Sequence, residues 1–258
     1  DLDVFGDYSL FQYINRTSTP VGKQHLADWF NAHLELKESI EQRQEAIREL
    51  STDLEYRQQI RLFGLLYKGK PADTNEIREW AGSPSYYRKH TLLRIIPTVV
   101  SIINLICIGS AIVGILPATV PGGVFFCFVI FSSIFSKGIT KLQATYGKKL
   151  QILSTYADQI LLTEKKKMNS PVLQQLKTEL TSQNQTASQA VRQLSKLMNA
   201  LDQRSNLLMS TILNGLIFWE LRQVMRIEKW KETHASDLPR WIETIGEIDA
   251  YCSLATFT

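Results

Sequence analysis

The segment that decides the fold is IIPTVVSIINLICIGSAIVGILPATVPGGVFFCFVIFSSIFS, residues 95–136, which contains no charged residue and no histidine. Residues 99–116 are apolar or small, and as an α-helix they would extend about 27 Å, close to the thickness of the hydrocarbon core of a bilayer. The composition of residues 117–123, PATVPGG, predicts a turn. Residues 124–135 then form a second run rich in Phe, Val and Ile. The pattern predicts a hydrophobic helical hairpin.

The surroundings of this hairpin favour a membrane location. Basic residues flank it on both sides: Arg88, Lys89 and Arg94 before it, and Lys137, Lys141, Lys148 and Lys149 after it. Two spans with both ends in the cytosol are the arrangement that the positive-inside rule gives. We therefore expect a cytoplasmic protein tethered to the inner face of the cell membrane through residues 95–136. The alternative is a hairpin buried in a soluble core or an oligomer interface, favoured by the short second limb and by Asn104 in the first.

Outside the hairpin, apolar residues recur at helical spacing, and strand-like alternation is scarce. Residues 137–167 and 206–234 are each predicted to form one long helix. The fold class expected is all-α: an elongated helical core with long lever helices, interrupted by the hydrophobic hairpin. Four parts follow in chain order. Residues 1–94 are the first part of the helical core, 95–136 the hairpin, 137–234 the lever helices and 235–258 a last core helix.

Composition excludes a disordered tail, because 44% of the 258 residues are hydrophobic and 21% are charged. The formal net charge of +4 permits contact with nucleic acid or anionic lipid without requiring it. Three widely spaced cysteines, Cys107, Cys127 and Cys252, are expected as reduced thiols in a cytosolic-facing protein. The sequence begins at Asp1 without an initiator Met, so we expect an internal segment of a longer protein.

No constellation of residues points to catalysis, so we predict no catalytic, cofactor-binding or metal site in this chain. There is no G-x-x-x-x-G-K-[ST] loop for nucleotide phosphates. The four histidines are scattered and show no zinc-ligand spacing. Arg16 and Lys23 are candidate phosphate contacts, although they lack interleaved aromatic residues and a recognition-helix pattern.

The two ends of the sequence carry recognisable motifs. The first matches the pattern SLF…LN-R/H-T-x-T-x-x-G-x-x-x-L-x-x-W at Ser9, Leu10, Phe11, Ile14, Asn15, Thr17, Thr19, Gly22, Leu26 and Trp29. The last, residues 245–255, is similar to L-x-E-L-D-V-L-x-S-L-A and includes Glu247, Asp249 and Leu254. With these motifs the chain resembles the core region of MutS-family DNA mismatch-repair proteins, and residues 40–50 resemble the helix that follows the first motif in that family.

The residue types of the first motif suit a structural role. Thr17 or Thr19 can cap a helix, and Gly22 permits two helices to approach closely. Leu26 and Trp29 are suited to anchoring a core. We therefore expect the motif residues to hold the fold together rather than to carry chemistry.

The resemblance implies a core and lever segment, similar to domain III, of a MutS-like ATPase. In that family these helices couple the nucleotide state of an ATPase domain to DNA binding. The ATPase domain, with ATP and Mg²⁺ as its ligands, is expected to follow Thr258 in the parent protein, so this chain is not itself expected to be an enzyme. Duplex DNA and a second copy of the parent are the implied partners.

The sequence departs from the family at residues 95–136, where the hydrophobic hairpin replaces the usual continuation. No β-rich insertion for gripping DNA is evident between the long helices. An alternative function is therefore a membrane-anchored helical scaffold that has lost DNA binding.

Overall fold

A computed structural model describes residues 4–66, 71–181, 185–202 and 206–258, without the side chains of residues 71–74, 137, 144–152 and 154–155. The all-α prediction is confirmed, since the described residues contain no β-strand and only one isolated bridge, between Thr181 and Thr186. The helices are α1 (Leu10–Ile14), α2 (Pro20–Asn31), α3 (Lys37–Ser51), α4 (Leu54–Leu66), α5 (Pro71–Gly82), α6 (Thr91–Ile112), α7 (Thr119–Lys165), α8 (Pro171–Glu179), α9 (Ala187–Asp202), α10 (Leu207–Ile217), α11 (Trp219–His234) and α12 (Asp237–Leu254).

The chain divides into two compact units, each assembled from separate segments. Unit 1 comprises the described residues of 1–82, 151–192 and 234–258, and unit 2 those of 83–150 and 193–233. The division predicted from the sequence follows chain order instead, and its four parts stay a prediction.

Unit 1 is organised around α12, which lies against α2, α3, α4, α5 and α8. Trp241, Ile245 and Ile248 of this helix are completely buried. Burial on nearly every side of one helix is typical of a central core element. The start and the end of the chain therefore share one core.

Unit 2 contains the hairpin, and its turn lies earlier than the composition predicts. Helix α6 ends at Ile112, and α7 begins at Thr119. Pro121 is helical because proline is tolerated in the first turn of a helix, where its missing N–H has no helical partner to lose. Gly114, with φ of 82°, takes the left-handed conformation in the actual turn.

The two predicted long helices also differ from those observed. Residues 137–165 continue the second limb of the hairpin without a break, so that α7 has 47 residues. Residues 206–234 instead form two helices, because Phe218 between them adopts φ of 52°. The left-handed backbone conformation is strained for a phenylalanine, and no residue next to Phe218 in the sequence predicts a break in the helix.

Candidate functional site

The first motif begins two helices with capped N-termini. The Ser9 hydroxyl accepts a hydrogen bond from the N–H of Gln12 at 3.2 Å. The Thr19 hydroxyl accepts one from the N–H of Gly22 at 3.0 Å, and Pro20 occupies the first turn of α2. Such caps satisfy backbone donors that a helix leaves unpaired at its start. Of the two threonines considered for capping, Thr19 is the residue that caps α2.

A buried carboxylate from the last motif joins this cap. Asp249 on α12 accepts hydrogen bonds at 2.8 Å from the backbone N–H groups of Ser18 and Thr19. It also accepts from the Thr19 hydroxyl at 2.8 Å and from the Ser18 hydroxyl at 3.1 Å. We call Ser18, Thr19, Gly22 and Asp249 the Asp249 cluster. It connects residues that are about 230 positions apart in the sequence.

The Asp249 carboxylate is 2% exposed, so its charge is almost completely removed from water. Burial raises its pKa to about 6, and the hydrogen bonds from Thr19 and Ser18 oppose that shift. A carboxylate with four donors is satisfied when ionised, because each oxygen accepts at least one bond. Near neutral pH the cluster therefore contains a buried, fully hydrogen-bonded charge.

Two glycines allow α2 and α12 to approach this closely. A Cβ on Gly22 would lie 2.5 Å from Asp249 Oδ2 and 2.8 Å from Thr19 Oγ1. A Cβ on Gly246 would lie 2.4 Å from a side-chain carbon of Val21. Neither position has room for a methyl group. At Gly22 the group on the other side of this close approach is the Asp249 carboxylate.

Apolar motif residues surround the cluster. Leu26 is completely buried in a core cluster with Phe11 and Ala250, against which Trp29 and Leu254 pack. The Trp29 ring lies 4.7 Å from that of Tyr251, between centroids, and Arg43 stacks on Trp29 at 4.3 Å. These contacts exclude water from the polar bonds beside them, which strengthens those bonds.

The loop between α1 and α2 is held by its own side chains and by α12. Asn15 Oδ1 accepts from the N–H and the hydroxyl of Thr17, at 3.1 and 2.6 Å. The Ser253 hydroxyl donates to the carbonyl of Ile14 at 2.9 Å and accepts from the N–H of Arg16 at 2.7 Å. The loop thus has contacts to α12 at both of its ends.

The two candidate phosphate contacts lie in different surroundings. The Arg16 guanidinium donates to the carbonyl of Asn15 at 3.2 Å and lies 5.4 Å above the ring of Phe257. Lys23 is exposed and lines a cavity of about 890 Å³. The same cavity is lined by Asp28 and Glu243, and Glu243 pairs with Arg78 and, at 2.9 Å, with His25. The charge around Lys23 is therefore mixed.

Glu247, the remaining motif residue, is partly buried on α12. Burial raises the pKa of Glu247, while the nearby His25 and Arg43 oppose that shift. It is not part of the Asp249 cluster. Within the described ranges, no group of three or more His, Cys, Asp or Glu residues is placed to hold a metal ion.

Unit 2 presents the hairpin as an exposed apolar surface. By length and composition α6 and residues 119–136 of α7 can each cross a membrane, and only 17% and 0% of their apolar windows are buried. The exposed fraction reaches 74% for Leu105, 81% for Ile112 and 69% for Ile130. A core hairpin of a soluble protein would be largely buried. Exposed apolar area this continuous marks an interaction surface.

The chain entering the hairpin is anchored by α11. The buried Glu228 carboxylate accepts from the N–H groups of Tyr86, Tyr87 and Arg88, at 2.9, 3.1 and 2.7 Å. Arg88 also pairs with Glu232 at 2.8 Å. Three backbone donors on one carboxylate fix the direction of the residues just before α6.

The motifs contain Asp249, Gly22 and Ser253, whereas Ser18 and Glu228 were not predicted from the sequence. Ser18 lies between two motif threonines, and that proximity is the one signal that could have drawn attention to it. Glu228 sits in a charged helix where nothing marks it as buried. Its role depends on a contact across about 140 residues of sequence.

The model of the MutS domain III family matches residues 2–255, nearly the whole chain and both motifs. No curated protein and no solved structure matches the chain.

Proposed function

The chain belongs to the MutS domain III family, and from that premise we propose that it is the core and lever segment of a MutS-like ATPase, tethered to a membrane by residues 95–136. The segment carries no catalytic role of its own. ATP and Mg²⁺ bind in the ATPase domain of the parent, which acts as a homodimer on duplex DNA. The segment transmits the nucleotide state to the part that grips DNA.

The Asp249 cluster is the observation that carries this proposal. Helix α12 leads to the C-terminal end of the chain, and its buried carboxylate holds the start of α2 through four hydrogen bonds. A Cβ at Gly22 would collide with that carboxylate, so α2 and α12 are in direct contact at this point. A displacement of α12 is therefore passed to α2 as a unit, which is what a mechanical segment requires.

The membrane tether is supported by the exposed apolar surface of α6 and residues 119–136. The uncharged segment is flanked by basic residues at both ends, and this pattern supports a cytosolic side for both ends. The protein then works at the inner face of the cell membrane. Leaving this much apolar area in water instead would favour aggregation.

The test uses the full-length parent protein in detergent, with gel-shift titrations of matched and mismatched duplexes across a salt series. We expect binding that weakens steeply as salt rises, as phosphate contacts require. We also expect ATP to change the affinity, and Asp249→Asn to reduce that change more than it reduces binding itself. Affinity that responds to ATP equally in both proteins would refute coupling through the cluster.

A membrane-anchored scaffold without DNA binding is the second candidate, and the surroundings of Arg16 and Lys23 favour it. Arg16 is engaged with Asn15 and Phe257, and Lys23 shares its cavity with Asp28 and Glu243. Neither arrangement resembles a basic phosphate-binding surface. Failure of the parent to bind any duplex at low salt would select the scaffold.

A further inference from the structure

Helix α10 is a third apolar element of unit 2, with the sequence LLMSTILNGLI and no charged residue. Its 11 residues extend about 16 Å, roughly half the hydrocarbon thickness of a bilayer. It is thus too short to span a membrane. It packs against α6, the first limb of the hairpin.

The polar and apolar faces of α10 are the reverse of those on a soluble helix. Ser210 donates to Glu220 at 2.8 Å, and Asn214 accepts from the Glu220 N–H at 3.0 Å, so the polar face is turned toward α11. Leu208 and Ile212 each lie two positions from Ser210 and therefore on the opposite side of the helix. They are 77% and 48% exposed. A helix with polar groups inside and aliphatic groups outside is suited to lipid rather than water.

The C-terminal end of α10 has its backbone satisfied by protein groups alone. Helices leave their last four carbonyls without helical partners. Here the Asn214 carbonyl accepts from the N–H of Phe218 at 3.2 Å. Asn104 Nδ2 donates to the carbonyls of Gly215 and Leu216, both at 3.0 Å, and the Ile217 carbonyl accepts from Arg222 Nε at 2.8 Å.

This complete pairing matters because a helix may end inside a bilayer only where the protein satisfies its backbone. The donor Asn104 is itself buried, at 5% exposure, within an otherwise apolar helix. Arg222 continues the network by donating to the carbonyl of Pro97 and to the hydroxyl of Ser101, at 2.7 and 2.8 Å. The end of α10 therefore needs no water.

The contacts of α10 place its end near the middle of the hairpin. Gly215 lies against the ring of Phe125, where a Cβ would come within 2.3 Å. At 1.5 Å per residue, Asn104 is about 14 Å from the start of the uncharged segment and Phe125 about 16 Å from its end. Before α10, Asp202 accepts from Gln143 at 2.6 Å, outside that segment.

We infer that α10 is a re-entrant half-span, which enters the membrane from the side where both ends of the hairpin lie and turns back at Phe218. Its exposed face, formed by Leu207, Leu208, Met209 and Ile212, is covered by acyl chains. This apolar face is continuous with the hairpin that α10 packs against. The inference rests on the membrane part of the proposed function.

The test measures labelling of single thiols by a membrane-impermeant maleimide, resolved by mass spectrometry. The full-length protein is reconstituted in vesicles of phosphatidylcholine and phosphatidylglycerol, as Leu208→Cys, Ile212→Cys and, as a water-exposed control, Gln175→Cys. The natural Cys127, exposed on α7, reports on the hairpin within every sample. Labelling after unfolding in SDS shows that each thiol is reactive.

We expect the thiols at 208 and 212, like Cys127, to react at least about tenfold more slowly than that at 175, because lipid excludes the reagent and disfavours the thiolate. Fast reaction at 208 and 212 with Cys127 protected would overturn the re-entrant helix and leave the hairpin standing. Fast reaction of Cys127 would overturn the membrane tether itself. Oxidative cross-linking of two copies through position 208 at high lipid dilution would place a second copy on this face and also refute the inference.

Discussion

Charged side chains are usually exposed and large apolar ones usually buried. The Asp249 cluster and the apolar surface of unit 2 depart from this pattern in opposite ways. In the first, a carboxylate is 2% exposed, and in the second, Leu105 is 74% exposed. The chain itself compensates the buried charge, with four hydrogen bonds from Ser18 and Thr19. No comparable partner for Leu105 lies within the described residues. The polar groups of the Asp249 cluster are thus satisfied within the fold, whereas the described residues leave most of the apolar surface of unit 2 uncovered.

The largest expected effect comes from placing charge on the apolar surface. Lysine at the centre of a membrane helix costs about 3 kcal/mol, so Ile108→Lys with Ile130→Lys should oppose insertion by about 6 kcal/mol. We expect the full-length double variant to leave the membrane pellet after alkaline carbonate extraction, while the wild type stays in it.

Ile108→Leu with Ile130→Leu is the matched control, because it keeps both positions apolar. It should remain in the pellet with the wild type. A wild type that appears in the soluble fraction after extraction would show that the hairpin lies in a soluble interface. The proposed membrane tether would then be wrong.

The second prediction concerns the charge of Asp249. Its pKa rises from 3.8 unfolded to about 6 folded. Between these values the native state binds more protons than the unfolded state, so the unfolding free energy falls as pH rises. The shift is worth about 3 kcal/mol at one pKa unit per 1.36 kcal/mol.

Asp249→Asn removes that titration, so the stability advantage of the wild type over this variant should shrink by about 2 kcal/mol between pH 4 and 7, a window that starts just above the unfolded pKa and therefore covers most of the full shift. Urea unfolding of both proteins in mild detergent at a series of pH values measures it. Groups such as Asp53, whose lowered pKa acts in the opposite direction, are present in both proteins and cancel. A difference that stays constant with pH would mean that the carboxylate does not titrate in this range.

The sequence predicted the local features of both regions and missed the long-range ones. A cap at Thr17 or Thr19 was predicted from the residue type, and the hairpin from an uncharged run, because both signals are contained in a few neighbouring residues. The break at Phe218 was missed since its φ of 52° depends on packing against Phe128, Phe131 and Phe135. Propensity does not report such a tertiary contact.

The same distinction explains the candidate site. Asp249 and Gly22 were identified through their motifs, but nothing local shows that they meet. Ser18 lies outside the quoted motif positions and Ser253 lies at the serine of the last motif, but for both the hydrogen-bond partner is more than 230 residues away. A hydrogen bond between distant segments produces no periodic pattern in the sequence from which it could be predicted.

The smallest expected effect tests whether the cluster is as tightly packed as its distances indicate. Gly22→Ala places a methyl group 2.5 Å from Asp249 Oδ2, and relieving that contact should cost about 2 kcal/mol. Gly82→Ala is the matched control, since its Cβ meets nothing within 4 Å and the change should stay below about 1 kcal/mol. Hydrogen exchange of residues 15–22 should accelerate in the first variant alone, because the Ser18 and Thr19 N–H groups lose their acceptor geometry. Equal exchange in both variants would mean that α2 and α12 can separate without loss, and then the cluster could not transmit a displacement between them.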